Sequence, residues 1–351
     1  MAKIPVAVLA ATGAVGQRFV QLLSDHPWFE VAAVTGSPRT IGRPYREGVN
    51  WVVPGDIPPA VAELVVQPTE PTLDVPVVFS ALPSGEAWEL EPLFAHRGYA
   101  VITNASAFRM TADVPLLIPE INADHTSLIP RQRENHGWPG FIVASPNCST
   151  TSVVLPMKIL DDAFGLEAAL ITTMQALSGA GYPGVPSLAI VDNVIPYIPG
   201  EDDKLEMEPR KLLGTVTDGE LALASMRLSA QANRVPVLDG HLASVSVQLM
   251  DEATPPQAID ALTAWQPPAV CARLPSSPAH ALLYRDEDDR PQPRLDRDAA
   301  GGMAWTVGKM RSCGVLDLRF LAITHNTLRG AASGAILNAE LLVEQRYIDR
   351  L

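Results

Sequence analysis

An α/β fold of two domains, a doubly wound parallel sheet followed by an α+β unit, is predicted by three features of the sequence. The chain has 351 residues, more than one ordinary core accommodates. Its first 147 residues alternate short apolar runs with helical periods, the pattern of a parallel sheet with crossover helices. Beyond Pro146 the strand candidates are longer and are separated by stretches rich in Pro and Gly, which points to a mixed or antiparallel sheet.

Along the chain, Ile4–Leu9 reads as a buried strand, Ala10–Gly16 as a turn of small residues, and Phe19, Val20, Leu22 and Leu23 fall at helical spacing. Val31–Val34, Val75–Ser80 and Ala100–Thr103 are further strands, with a helix over Glu86–His96 between the last two; Phe141–Ala144 is another strand. Ala168–Gln175 and Ala243–Met250 are strands of the second domain. The segment from Pro255 to Leu295, with its charged run Arg285–Arg290, reads as a solvated loop. Thr327–Leu351 reads as one helix whose apolar stripe is Ala331, Ala332, Ile336, Leu337, Leu341 and Leu342.

Lys and Arg number 26 against 39 Asp and Glu, for a net charge of −13, so nucleic acid and anionic membranes are poor partners. A phosphorylated ligand would need local Arg or Lys to overcome that field. The three cysteines, Cys148, Cys271 and Cys313, have no CxxC spacing; neither a disulfide framework nor a metal site is indicated, and a reducing cytoplasm fits. The start runs directly into a strand without the form of a signal peptide, and no apolar run reaches the roughly 18 residues of a membrane span.

The first strand-to-helix turn, Thr12-Gly13-Ala14-Val15-Gly16, has the small residues that let backbone N–H groups and a helix N-terminus approach a pyrophosphate, although Ala10 stands where the usual pattern has its first glycine. The pattern is that of the turn of a Rossmann-like dinucleotide-binding domain, and equally that of a tight strand-to-helix turn with no ligand. The second strand ends without an acidic residue for a ribose hydroxyl; Ser37, Arg39 and Thr40 offer instead the groups suited to a 2′-phosphate, which favours NADP over NAD.

Cys148 follows the Phe141–Ala144 strand and opens a helix whose Ser149, Thr150 and Thr151 suggest hydroxyl capping. A helix N-terminus stabilises a thiolate and can bring it into range near neutrality. On its own, a lone cysteine reads first as a buried structural thiol, and only its partner motifs overturn that reading.

Further motifs accompany it: Asn104-Ala105-Ser106-Ala107-Phe108-Arg109, Ser145–Ser149, Gln175–Gly184, Gly200-Glu201-Asp202-Asp203-Lys204, Arg234–His241 and His325–Ala332. With the glycine turn, in this order and over nearly the whole chain, they resemble the aspartate-semialdehyde dehydrogenase family in its archaeal and fungal branch. The resemblance implies NADPH-dependent reduction of L-aspartyl 4-phosphate to the semialdehyde, with release of phosphate, in the biosynthesis of Lys, Thr, Met and Ile. It implies Cys148 as thioester-forming nucleophile, His241 as general acid and base, Gln175 orienting the acyl group and Asn147 supporting the oxyanion with the Cys148 N–H. Arg234 would clamp the α-carboxylate, Glu201 meet the α-ammonium, and Lys204 and Arg109 hold phosphate. Thr12, Gly13, Ala14, Val15, Ser178, Gly179, Gly181 and Asn326 would join Ser37, Arg39 and Thr40 around the cofactor. Residues 1–147 would be the NADP-binding domain, with 327–351 returning to it, and 148–326 the catalytic domain, assembling a homodimer or homotetramer. Cys271, Cys313 and the histidines His26, His96, His125, His136 and His280 match no catalytic motif and read as structural or surface residues. Two other readings stay open: an acyl-CoA reductase of the malonyl-CoA type, which needs the same thiolate and hydride chemistry, and an NADP-binding protein without activity.

Overall fold

In the computed structural model, which describes residues 2–349, the alternation in the first part of the chain folds as a five-stranded parallel sheet. Its strands are β1 (Ile4–Leu9), β2 (Phe29–Val34), β3 (Val77–Ser80), β4 (Ala100–Thr103) and β5 (Phe141–Ala144), in the order β2-β1-β3-β4-β5. The inner strands are apolar along most of their length because both faces are covered, whereas edge strand β2 leaves Glu30 and Ala32 exposed. Val6, Val8, Phe79, Ile102 and Val143 point to one face, where they pack with Phe19 and Val20 of the helix Ala14–Leu23 and with Ile336, Leu337 and Leu341 of the helix Ser333–Glu344. Each such Leu, Ile or Phe contributes about 1.5–3 kcal/mol on burial. The last helix therefore completes the first domain.

Ala7, Leu9, Val78, Val101 and Ile142 point to the opposite face and join a cluster that continues through Val153, Leu155, Ile171, Val245, Trp305 and Phe320 into the second domain. That domain is a mixed six-stranded sheet built from β6 (Leu166–Gln175), β9 (Arg227–Arg234), β10 (His241–Leu249), β11 (Leu282–Arg285), β12 (Trp305–Ser312) and β13 (Leu318–Thr324). The order is β11-β12-β13-β10-β6-β9, and a separate hairpin, β7 (Thr215–Thr217) and β8 (Glu220–Ala222), lies outside it. Register decides what this sheet delivers. β6 runs parallel to β9 with Gln175 opposite Arg234, and antiparallel to β10 with Met174 opposite Leu242. Gln175, Arg234 and His241 thus share one end of the sheet.

Two expectations are corrected. The segment from Pro255 to Leu295 is not a solvated loop: Pro255–Ala264 is a helix that buries Ala258 and Leu262, Leu282–Arg285 is an edge strand parallel to β12, and Arg285 and Arg290 both reach the buried carboxylate of Asp296. The final helix does not run from Thr327. It spans Ser333–Glu344 and is preceded by a π-helical turn, Leu328–Ala332, in which Ala331 leaves helical geometry (φ −151°). This irregular turn carries Arg329 inward to a bidentate pair with buried Glu120, with its guanidinium 4.0 Å from the Trp305 ring centroid. Arg350 and Leu351 lie outside the described residues.

Candidate active site

The helix Cys148–Phe164 starts between the two sheets, and its first turn sets the site. Its cap is not a hydroxyl. Asn147 Oδ1 accepts from the backbone N–H groups of Ser149 (2.8 Å) and Thr150 (3.4 Å), while Asn147 Nδ2 donates to Glu201 (2.8 Å). With the amide so committed, Asn147 orients the helix end, and the Cys148 N–H is the first-turn donor left for a ligand.

Two cavities meet at this point. A groove of about 630 Å³ is lined by Ala14, Val15 and Arg18 from the first helix, by Val52, Val53 and Pro54, by Ser178, Gly179, Gly181 and Tyr182–Val185, and by Asn326, Thr327, Gly330 and Ala331. A smaller pocket of about 280 Å³ is lined by Ser84, Ser106, Gln175, Ile198, Glu201, Lys204 and Arg234. Asn104, Arg109, Asn147, Cys148 and Gly179 border both.

The groove fits a dinucleotide. The Ala14–Leu23 helix has no side-chain cap and no acid in its first turn, so its N–H groups face outward unopposed. Gly16 allows the close approach of helix and strand, since a Cβ there would lie 2.3 Å from the Ala10 carbonyl oxygen. Ala10 takes a left-handed φ of +53°, the conformation for which the usual glycine is suited. Thr12 and Gly13 belong to the same turn but do not line the groove, nor do Ser37, Arg39 and Thr40. The last three form a turn closed by bonds from the Thr40 N–H and hydroxyl to the Ser37 carbonyl, both 2.9 Å. Gly36 packs this turn close to Thr12.

The pocket is organised around one carboxylate. Glu201 Oε1 accepts from Asn147 Nδ2 and Lys204 Nζ (both 2.8 Å), and Oε2 from Ser149 Oγ (2.9 Å) and Gln175 Nε2 (3.1 Å). Burial pushes the Glu201 carboxyl up, but Lys204 and the donated hydrogen bonds outweigh it and hold the group below its ordinary range. Arg234 is buried and donates to the Ala176 carbonyl (2.7 Å); Arg109 donates to Glu208 (3.0 Å) and to the Asn104 carbonyl (2.8 Å).

His241 Nδ1 accepts from the Ala176 N–H at 3.1 Å, while its buried Nε2 has no partner. Burial, reinforced by Arg234, drives the imidazole down to about 3, so the ring is neutral and carries its proton on Nε2. A Cβ on Gly179 would lie 3.0 Å from this Nε2 and 2.8 Å from Arg234 Nη1; only glycine lets the loop sit over both. The thiol departs from expectation. Burial, followed by the Glu201 charge, pushes Cys148 up to about 12, against the opposing pull of Arg109, Arg234 and Lys204. In the ligand-free site the helix terminus does not by itself produce a thiolate at neutral pH.

Of the remaining groups, Cys271 is buried, His26 pairs with Glu340 (2.7 Å), and His125 bonds Asn122 (3.0 Å), while His96, His136 and His280 are exposed. Sequence reading gave no role to Arg18, Val52–Pro54, Tyr182–Val185 or Asn104, although Tyr182–Gly184 close a quoted motif. Asn104 lay within a quoted motif, and both polar atoms of its side chain are buried without a partner at the junction of the cavities.

The profile described as "Semialdehyde dehydrogenase, NAD binding domain" matches residues 5–129, and "Semialdehyde dehydrogenase, dimerisation domain" matches 157–329. An aspartate-semialdehyde dehydrogenase of Archaeoglobus fulgidus is 49% identical over 98% of this chain and 99% of its own. The chain belongs to the aspartate-semialdehyde dehydrogenase family. A crystal structure of aspartate-semialdehyde dehydrogenase with NADP from Candida albicans superposes with a TM-score of 0.91 at 38% identity, covering 99% of this chain and 100% of that one. A malonyl CoA reductase (NADP) of Metallosphaera sedula is 37% identical over 99% of both chains. Among the described residues, no helix is long and apolar enough to cross a membrane.

Proposed function

We propose that the chain reduces L-aspartyl 4-phosphate to L-aspartate 4-semialdehyde, with release of phosphate, through a thioester on Cys148, in the aspartate pathway of amino-acid biosynthesis. The observation that carries this reading is that Cys148 borders both the groove suited to a dinucleotide and a pocket wired for a charged substrate. NADPH bound in the groove supplies the hydride.

The chain's own residues do the rest. Arg234 clamps the α-carboxylate and Glu201 receives the α-ammonium, joining donors already aligned on it. That ammonium offsets the Glu201 charge, the second-largest cause of the raised Cys148 thiol. The sulfur attacks the acyl carbon as the bond to phosphate breaks, and the thiol proton leaves with the phosphate, which Arg109 and Lys204 receive. Gln175 and the Cys148 N–H orient the acyl oxygen, and Asn147 fixes that helix end. The His241 Nε2–H is set to donate to the sulfur or to the oxygen of the reduced intermediate. Thr12, Gly13, Ala14 and Val15 present backbone to the pyrophosphate, with Ser37, Arg39 and Thr40 beside the 2′-phosphate. Ser178, Gly179, Gly181 and Asn326 line the nicotinamide end, where Asn326 donates to Ser178 Oγ at 2.8 Å.

Residues 1–147 with 327–349 act as the NADP-binding unit and 148–326 as the catalytic and oligomerisation unit, forming a homodimer or homotetramer. In β10, buried residues alternate with the half-buried Leu242, Ser244, Ser246 and Gln248, which supports the open face of the second sheet as the contact. Three unpaired cysteines support a cytoplasmic setting. A malonyl group lacks the amine that Glu201 is placed to receive, which favours the aspartyl substrate. The test is the reverse reaction, oxidation of aspartate semialdehyde with NADP or NAD, in phosphate or in CoA. Phosphate-dependent NADP reduction is expected; activity with CoA and none with phosphate would overturn the reading.

A further inference from the structure

The helix Glu201–Leu212 carries Glu201, Lys204, Glu208 and Lys211 at the spacing of one helical face. The first two line the substrate pocket. The other two line neither cavity, yet both are buried. Lys211 Nζ donates to the backbone carbonyls of Arg109 (2.7 Å), Thr111 (2.6 Å) and Val114 (2.8 Å), using all three N–H donors of an ammonium. One turn earlier, Glu208 Oε1 accepts from Arg109 Nη1 (3.0 Å) and Oε2 from the Asn147 N–H (2.6 Å).

We infer that Glu208 and Lys211 are positioning residues that set the affinity of the site for phosphate. Lys211 fixes the backbone turn that bears Arg109, and Glu208 ties the Arg109 guanidinium to the first turn of the Cys148 helix, so phosphate meets a cradle ordered during folding. A free arginine has many rotamers, and ordering it before the ligand arrives removes that entropy cost from binding. A buried ammonium is otherwise a costly way to close a turn. Burial draws Lys211 down to about 7 despite the opposing pull of Asp113 and Glu208. The inference rests on the reading of Arg109 as a phosphate anchor.

Charge and position make opposite predictions at Glu208. By charge alone this carboxylate repels phosphate, so Glu208→Gln would tighten phosphate binding; as a strut, its loss weakens binding. The measurement is steady-state kinetics of the full-length enzyme oxidising aspartate semialdehyde with NADP at varied inorganic phosphate. Lys211→Met should raise the phosphate KM about tenfold, the scale on which small misplacements of binding groups act, with kcat within about threefold and the NADP KM unchanged. Glu208→Gln should raise it in the same direction. In an Arg109→Ala background Lys211→Met should add nothing further, because both changes act on one group. Thermal unfolding checks each variant, and Glu208→Gln carries the test if Lys211→Met does not fold. An unchanged or lowered phosphate KM in Glu208→Gln, with the fold intact and Arg109→Ala raising that KM, overturns the strut while leaving the Arg109 reading standing. A phosphate KM unmoved by Arg109→Ala overturns both.

Discussion

The two cavities that meet at Cys148 recognise their ligands in different ways. The groove is built from backbone and small residues, and little in it is charged beyond Arg18, Arg109 and Asp239. The pocket is built from side chains of both signs locked together: Glu201 holds four donors, and Arg234 and Arg109 are each fixed to backbone carbonyls. Shape that comes from backbone tolerates substitution of neighbouring side chains. A buried charge network does not, because removing one member leaves its partners unsatisfied.

The largest effect should come where the cavities join. Cys148→Ser is expected to lower kcat on the order of 10⁴-fold or more, as with loss of a covalent nucleophile, while NADP still binds. Calorimetry alongside turnover checks both halves, and residual steady-state activity near wild type would remove the thioester. Within the pocket, Glu201→Gln should cut kcat/KM by roughly 10²-fold. The same change should accelerate alkylation of Cys148 in the ligand-free protein near neutral pH, because the carboxylate that helps raise the thiol is gone. Slower alkylation in that variant would show that Glu201 does not set the thiol's resting state.

At the turns beside the groove the effects should be smaller. Arg39→Ala is expected to raise the KM for NADP by about tenfold, the worth of one charge-assisted hydrogen bond, with the KM for NAD nearly unchanged. Equal effects on both cofactors would detach Arg39 from the 2′-phosphate. Smallest of all, Ala10→Gly should stabilise the protein by about 1 kcal/mol by relieving a left-handed alanine. Denaturant unfolding would read this, and a loss of stability would mean that the flexibility glycine adds to the unfolded chain outweighs the strain relieved.

The same contrast governs what was legible in the sequence. The strands of the first sheet emerge within two residues of their expected limits because all but the edge strand β2 are short, mostly apolar runs buried on both faces. Cys148, Gln175, Glu201, Arg234 and His241 were legible as parts of motifs, and the register of β6, β9 and β10 explains how three of them converge. What stayed hidden depends on contacts between distant segments. β11 was masked by the charges beside it, two of which are drawn to buried Asp296. The break before the last helix follows Arg329, whose partner Glu120 lies 209 positions away. The groove residues Val52–Pro54 and Tyr182–Val185 have no periodicity to mark them. The state of the Cys148 thiol was out of reach because burial and Glu201, neither of them local to the helix, outweigh the helix terminus.

The helix Ser333–Glu344, packed against β-strand and helix residues from the first part of the chain, bears on how the protein is made. On the ribosome the first sheet emerges before the second domain, but part of its covering layer is synthesised after that domain. That face of the sheet must stay exposed, or shielded by a chaperone, until the whole second domain has been made. Nucleotide-binding competence should therefore arise only after the second domain has been made, close to the moment at which the nucleophile acquires its full surroundings.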